Sequence, residues 1–170
     1  VKADGFWFEP QRSEVGLRGD RHTPPDMPVG RIGIFKNIGY ASSDRFDIVV
    51  TGKGTHGARP EEGNDPIVAG AALITLLQSV VSRNVKPTLA GVITVGLFQG
   101  GTAGNVIPES ARMLGTLRST SETARERAQE GIRRVATQVA AAHEVEADVV
   151  VVNGYPVTVN DAGFTSFACT

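Results

Sequence analysis

Cysteine is almost absent from this sequence. Among 170 residues there is only Cys169, which excludes an internal disulfide and any metal site built from several cysteines. A single cysteine fits a reducing compartment, and we expect a cytoplasmic protein.

Neither sign of charge is in excess. The sequence has 17 Lys and Arg against 18 Asp and Glu, and its pI is near 6.3. Binding to nucleic acid by phosphate neutralisation requires a basic surface, so we expect no nucleic-acid partner. The hydrophobic fraction of 41%, with so low a net charge, predicts a folded chain and not a disordered one.

Long hydrophobic runs are also missing. The longest, from Ile67 to Leu77, is interrupted by Gly70 and Thr75 and is shorter than the ~18 residues that span a bilayer. The first residues, Val1 to Phe8, lack the apolar segment of a secretion signal. We therefore expect neither a membrane partner nor export.

Four segments have the alternating pattern of β-strands. They lie at about 44–51, 90–97, 111–118 and 147–152. In the second segment, Ile93, Val95 and Leu97 are predicted to share one face. A further strand-like stretch at 29–35 lies in an irregular region that precedes the orderly pattern.

Two helices are predicted between these strands. The first starts at Asp65-Pro66, because Asp can accept free N–H groups and Pro fits the first turn, and it should end near Asn84. The second has Ser119, Thr120 and Ser121 as candidate caps, and Glu122 lies three residues after Ser119, which is the spacing of a capping box. The predicted apolar stripe of the first helix comprises Ile67, Ala71, Ile74, Leu77 and Val81, widened by Leu73, Leu76 and Val80. That of the second comprises Ala124, Ala128, Ile132, Val135, Val139 and Ala142. Gly131 interrupts the second helix at a cost of ~1 kcal/mol, which suggests a packing reason.

The order strand, helix, strand, strand, helix, strand predicts an α+β fold. Two split crossovers of this kind build a ferredoxin-like, four-stranded antiparallel sheet with both helices on one face. We expect this domain over 44–153, after an irregular stretch at 1–43 and before a final segment at 154–170.

Several side chains could carry chemistry, and each also has a purely structural interpretation. His56 lies in a glycine-rich loop that could present it to a ligand, or it could bond its own loop. Asn105 is a ligand contact or a left-handed turn residue. Arg118, at the end of its strand, could bind a carboxylate through its planar guanidinium group, or it could simply be solvated. His22 is an exposed loop histidine or a metal ligand, and His143 best fits a solvated helix end.

Several well-known catalytic patterns are absent. There is no phosphate-binding Gly-x-x-x-x-Gly-Lys-Ser/Thr, no Gly-x-Ser-x-Gly elbow, and no His-Glu-x-x-His or Cys-x-x-Cys metal motif. The residues alone therefore indicate an α+β domain with a histidine loop.

Four motifs, in order, resemble one enzyme family. They are Gly52-Lys53-Gly54-Thr55-His56-Gly57-Ala58-Arg59-Pro60 with Asp65-Pro66-Ile67, Gly100-Gly101-Thr102-Ala103-Gly104-Asn105-Val106-Ile107-Pro108, Gly115-Thr116-Leu117-Arg118, and Gly154-Tyr155-Pro156-Val157-Thr158-Val159-Asn160-Asp161. Over about 24–161 the chain resembles the dimerisation (lid) domain of the metal-dependent aminoacylase/carboxypeptidase amidohydrolases. The branch it resembles most includes hippurate hydrolase and the indole-acetyl-amino-acid hydrolases.

The resemblance implies roles for the candidate residues. His56 would stabilise the tetrahedral oxyanion, Asn105 and Arg118 would contact the carboxylate end of an N-acyl amino acid substrate, and His22 would be a metal ligand. The family uses two divalent metal ions, Zn²⁺ or Mn²⁺, and pairs its lids into a homodimer. The stretches 1–43 and 154–170 would then be remnants of the catalytic domain.

The sequence also departs from the family. The upstream His-x-Cys-Gly-His-Asp-type ligands, the paired glutamates with the general base, and the last ligand region are missing from it. We expect a truncated or frame-disrupted member that binds no metal and is inactive alone. The alternatives are a non-enzymatic dimer that binds a small carboxylate, and a lid whose catalytic domain is supplied by a separate chain.

Overall fold

The computed structural model describes residues 37–168, which divide into two compact units. The larger unit runs from Ser42 to Pro156, and the described part of the smaller unit comprises 37–41 and 157–168. His22, Cys169 and the strand predicted at 29–35 lie outside the described residues.

The larger unit contains a four-stranded antiparallel sheet. Its strands are β2 (Ser43–Thr51), β4 (Gly91–Gly100), β6 (Ser110–Ser119) and β7 (Glu146–Tyr155), in the spatial order β4-β6-β2-β7. The helices α1 (Pro66–Asn84) and α2 (Glu122–Ala142) pack against each other and against the sheet. This is the predicted ferredoxin-like arrangement.

The remaining elements are short. A strand pair, β3 (Thr55–His56) with β5 (Val106–Ile107), and a 3-10 helix at Pro60–Glu62 belong to the larger unit. The smaller unit contains β1 (Ile38–Tyr40), paired with β8 (Thr158–Val159), and α3 (Ala162–Ala168). None of these was predicted, because elements of two to seven residues are too short to show a periodic pattern.

The core lies between the sheet and the two helices. Its fully buried side chains come from both layers: Phe46, Ile48, Met113 and Leu117 from the sheet, and Leu73, Leu77, Val80 and Ile132 from the helices. Truncating one such leucine to alanine costs 2–5 kcal/mol in well-packed cores, on the order of a domain's margin of stability.

Both helix starts are capped by a side chain. The Asp65 carboxylate accepts hydrogen bonds from the N–H groups of Ile67 (2.8 Å) and Val68 (3.2 Å), as predicted. The cap of α2 is Ser121, one of the three predicted candidates, whose Oγ accepts from the N–H of Ala124. The predicted Ser119 capping box is wrong, because Ser119 is the buried last residue of β6 and its hydroxyl donates to the Ala90 carbonyl.

Three details of the predicted faces are also wrong. A bulge at Gly96, between Val95 and Leu97, turns Leu97 away from the core and sets it opposite Leu114. On α1 the buried stripe is shifted, so that Ala71 is exposed and Leu76 is 47% exposed. Ala142 is exposed as well. The Leu97 error follows from reading a regular period through a strand irregularity, and the Ala142 error from reading one through a helix end. On α1 the apolar residues cover more of the helix surface than the core does, so the period alone did not show which of them are buried.

The expected packing reason for Gly131 is present. A Cβ at this position would lie 2.5 Å from Cγ1 of the fully buried Val80 of α1. Glycine therefore allows α1 and α2 to approach closely, and this contact outweighs its low helix propensity.

Candidate functional site

His56 is held in a closed loop between β2 and α1. Lys53 and Asn64 exchange two backbone hydrogen bonds of 3.0 Å, which tie the ends of the loop together. Glycine is required at position 52, just before the loop, because the backbone of Asn64 approaches it closely. A Cβ at this position would lie 2.1 Å from the Asn64 carbonyl oxygen. These contacts fix the two ends of the loop that carries His56.

The imidazole of His56 bonds to its own loop through one nitrogen. Nδ1 accepts a hydrogen bond of 3.1 Å from the backbone N–H of Ala58. A nitrogen that accepts carries no proton, so the neutral ring holds its proton on Nε2. The ring is exposed, and Nε2–H is therefore a donor available to a ligand. The structural interpretation of His56 and the functional one are compatible.

Asn105 lies beside His56. The short strands pair His56 with Val106, and the Gly57 N–H donates to the Asn105 carbonyl at 2.8 Å. Among residues 37–168 the one non-glycine residue with positive φ is Glu144, so the left-handed interpretation of Asn105 is wrong. Its side chain is exposed next to the histidine loop.

Arg118 lies at the other end of the sheet. It lies eight positions along β6 from Ser110, which is about 25 Å of strand, and the loops of His56 and Asn105 start from the Ser110 end. The structure brings His56 and Asn105 together and does not bring Arg118 to them.

The Arg118 guanidinium is only partly engaged. Its Nη1 donates to the carbonyls of Leu117 (3.2 Å) and Asp44 (3.3 Å). Within the described part of the chain, its Nε and Nη2 have no partner, so the half-buried fork retains donors for a carboxylate.

Metal ligands do not converge in the described region. Among residues 37–168 no three His, Cys, Asp or Glu side chains are placed to hold an ion. A zinc site needs at least three protein ligands. These residues therefore do not fit a metal pair, and the proposed ligand His22 lies outside them.

Two candidate groups were missed by sequence reasoning. One is the Ala58 N–H, a backbone donor that no sequence pattern can reveal. The other is Arg45, which the alternation of β2 simply assigns to the face opposite the core.

Comparison with known proteins identifies the fold's family. The peptidase dimerisation domain family matches residues 38–144. The chain is similar to N-acetylcysteine deacetylase of Bacillus subtilis strain 168, with 42% identity over 147 residues, which is 86% of this chain and 39% of that protein. It is also similar to N-acetyldiaminopimelate deacetylase of Lactiplantibacillus plantarum, with 38% identity over 143 residues, 83% of this chain and 37% of that protein.

Solved structures agree. A dinuclear metal-binding peptidase of the M20 family from Bacillus subtilis superposes with a TM-score of 0.66 at 35% identity, over 86% of this chain and 35% of that one. The chain thus spans little more than a third of the length of the relatives it matches. It belongs to the M20 peptidase dimerisation domain family.

Proposed function

We propose that this chain supplies the lid and dimerisation segment of a two-metal amidohydrolase that cleaves N-acyl amino acids. Relatives with 42% and 38% identity are named as N-acetylcysteine and N-acetyldiaminopimelate deacetylases, which supports this substrate class. The observation that carries the proposal is the His56 imidazole, whose Nδ1 accepts from Ala58 and whose Nε2–H is free to donate.

Amide hydrolysis develops negative charge on the carbonyl oxygen as water attacks. A fixed, neutral N–H donor stabilises this oxyanion without reorganising at the moment of reaction. The bond from Ala58 sets both the tautomer and the ring orientation of His56. Activation of the water and the metal ligands would come from outside residues 37–168.

Substrate binding requires more than one copy of this segment. Since about 25 Å of strand separates Arg118 from the end of the sheet near His56 and Asn105, one carboxylate cannot reach both ends of one chain. If two copies pair, the histidine loop of one copy would complete the site at the Arg118 end of the other. We therefore assign Asn105 and His56 to one side of a shared site and Arg118 to the other.

The surface of α1 supports dimerisation. This helix is long and apolar enough to span a membrane by length and composition, with a mean hydropathy of 1.5, yet Leu73 and Leu77 are buried in the core. Its outer side is apolar too, with Val68 53% and Leu76 47% exposed. An apolar helix whose outer face stays uncovered is typical of an interface between subunits, and the adjacent edge strand β4 can extend the sheet across it.

The test is a graft into a related enzyme. Residues Ser42–Pro156 would replace the matching segment of the Bacillus subtilis N-acetylcysteine deacetylase, and deacetylation of N-acetylcysteine would be measured. We expect an active chimera whose kcat falls by roughly 10²–10³ with His56→Ala, the loss typical of one oxyanion donor. His143→Ala, at the end of α2, is the matched control and should leave kcat unchanged. An active chimera that is indifferent to His56→Ala would refute the role of this residue.

The runner-up is a non-enzymatic dimer that binds a small carboxylate through Asn105 and Arg118. Since Asn105 and Arg118 lie at opposite ends of the sheet, this alternative also requires the two copies to share the binding site. Calorimetric titration of the chain alone with N-acyl amino acids distinguishes the two, since the lid proposal expects weak binding without the catalytic domain.

A further inference from the structure

The sheet has a groove on the face opposite the helices. Its volume is about 520 Å³, and its lining includes Arg45, Asp47, Thr94, Leu97, Leu114 and Val152. Strand pairing explains this lining, because residues at alternate positions of β2, β4, β6 and β7 share the open face. The bulge at Gly96 adds Leu97, which pairs with Leu114 and would otherwise face the core.

The charge of the acidic group in the groove is already compensated by an ion pair. Asp47 forms a two-bond ion pair with Arg112, with Nε to Oδ1 at 2.9 Å and a second bond from Nη2 to Oδ2. The Arg112 bond holds the pKa of Asp47 below its ordinary value. Asp47 therefore remains charged at neutral pH and is paired with an arginine.

Arg45 is the charged side chain of the lining that has no partner within residues 37–168. It is exposed, and Thr94 and Thr116, from the same groove, offer hydroxyl donors. Since Arg112 compensates the charge of Asp47, the unpaired charge in the groove is positive. A positive charge suits an anion whose apolar portion lies against Leu97 and Leu114.

Arg45 and Arg118 are neighbours on this face. Arg45 lies opposite Thr116 in the β2–β6 ladder, and Arg118 follows two residues later on the same side of β6. Such diagonal positions lie about 7–8 Å apart, within reach of long side chains. Two arginines on residues at this spacing can each direct a guanidinium group to one carboxylate of a compact dicarboxylate.

We propose that Arg45 binds the side-chain carboxylate of an N-acylated acidic amino acid whose α-carboxylate is held by Arg118. This inference rests on the proposed function, because it takes Arg118 as the α-carboxylate residue. Arg45 would be a specificity residue, with Leu97 and Leu114 against the methylene groups of the ligand.

The experiment compares N-acetylglutamate with N-acetylglutamine, which has the same shape and lacks the second charge. Amide chemical shifts of the ¹⁵N-labelled chain would be followed in a titration with each ligand. We expect shifts at Arg45, Thr94 and Thr116 and roughly two- to fivefold tighter binding of N-acetylglutamate, the effect of one exposed ion pair. Arg45→Gln should erase this preference and leave the affinity for N-acetylglutamine unchanged.

Two variants make the outcome specific. Arg118→Gln should weaken binding of both ligands, whereas Arg127→Gln, an exposed arginine on α2, removes the same charge away from the groove and should weaken neither. Equal binding of the two ligands, with both dependent on Arg118, would overturn the role of Arg45 and leave the proposed function standing. A preference that survives Arg45→Gln would also overturn it. Binding of neither ligand would count against both arginines, and the grafted enzyme would then test the proposed function independently.

Discussion

Asp44 and Arg125 form a buried, two-bond ion pair between β2 and α2. Nη2 donates to Oδ1 at 2.6 Å and Nε to Oδ2 at 2.8 Å, and the Gly154 N–H donates to the same Oδ1 at 3.0 Å. One carboxylate therefore joins the start of β2, the first turns of α2 and the end of β7. Ser43 and Tyr155, where the chain enters and leaves the four-stranded sheet, are paired beside it.

Asp44→Asn should destabilise the fold strongly. Removing one member of a buried pair leaves the other charge uncompensated, and we expect a loss of about 3–5 kcal/mol in the free energy of unfolding. Urea denaturation followed by circular dichroism measures this change. Asp47→Asn, which breaks the more exposed pair with Arg112, is the control and should cost about 1 kcal/mol or less. Equal losses in the two variants would contradict the assigned importance of burial.

The stability contributed by Asp44 should disappear in acid. Burial opposes ionisation of this carboxyl, but hydrogen bonds from Arg125 and Gly154 outweigh it and hold its pKa below the ordinary value. A carboxyl whose pKa is lowered on folding stabilises the fold at pH values above its unfolded pKa of about 3.9. This contribution is lost as the pH falls through the pKa of the folded state. The difference in unfolding free energy between the wild type and Asp44→Asn should be constant at pH 5.5–7, where it equals the full loss expected for breaking the pair. It should shrink below about pH 4. A difference that stays constant down to pH 2.5 would contradict this.

Gly131→Ala should destabilise the protein although alanine is the better helix former. The gain of ~1 kcal/mol in helix propensity is opposed by a clash with Val80, and overpacking in cores costs about 1–3 kcal/mol. The double variant with Val80→Ala should be more stable than the sum of the single changes predicts, by at least about 0.5 kcal/mol. Thermal or urea unfolding of the four proteins completes the cycle. Strict additivity would mean that the two side chains do not compete for space.

Charges on the outer side of α1 should separate the subunits. We expect the wild type to sediment at twice its chain mass of 17.9 kDa, and Val68→Glu or Leu76→Glu to shift it to the monomer, because each places a carboxylate in an apolar interface. Gln138→Glu adds the same charge to an exposed position of α2 and should leave the dimer intact. A monomeric wild type at high concentration would contradict α1-mediated dimerisation.

Local sequence was sufficient to predict the main elements of the larger unit. The alternation of Phe46, Ile48 and Val50 predicts β2, and Asp65 predicts the start of α1 to the residue. These features could be predicted because a strand period or an N-cap involves neighbours along the chain. The α+β order followed from them, since short connections and right-handed crossovers leave few alternatives.

Contacts between distant segments decided the rest. Ser121 caps α2 because Ser119 is taken into β6, and Leu97 faces the groove because β4 bulges where it pairs with β6. The same is true of the candidate site. The motifs named His56, Asn105 and Arg118, but only the sheet placed Arg118 about 25 Å along β6 from the end near the other two. A sequence pattern records which side chains share a face, whereas distance and unpaired charge depend on strand register and on segments far away in the chain.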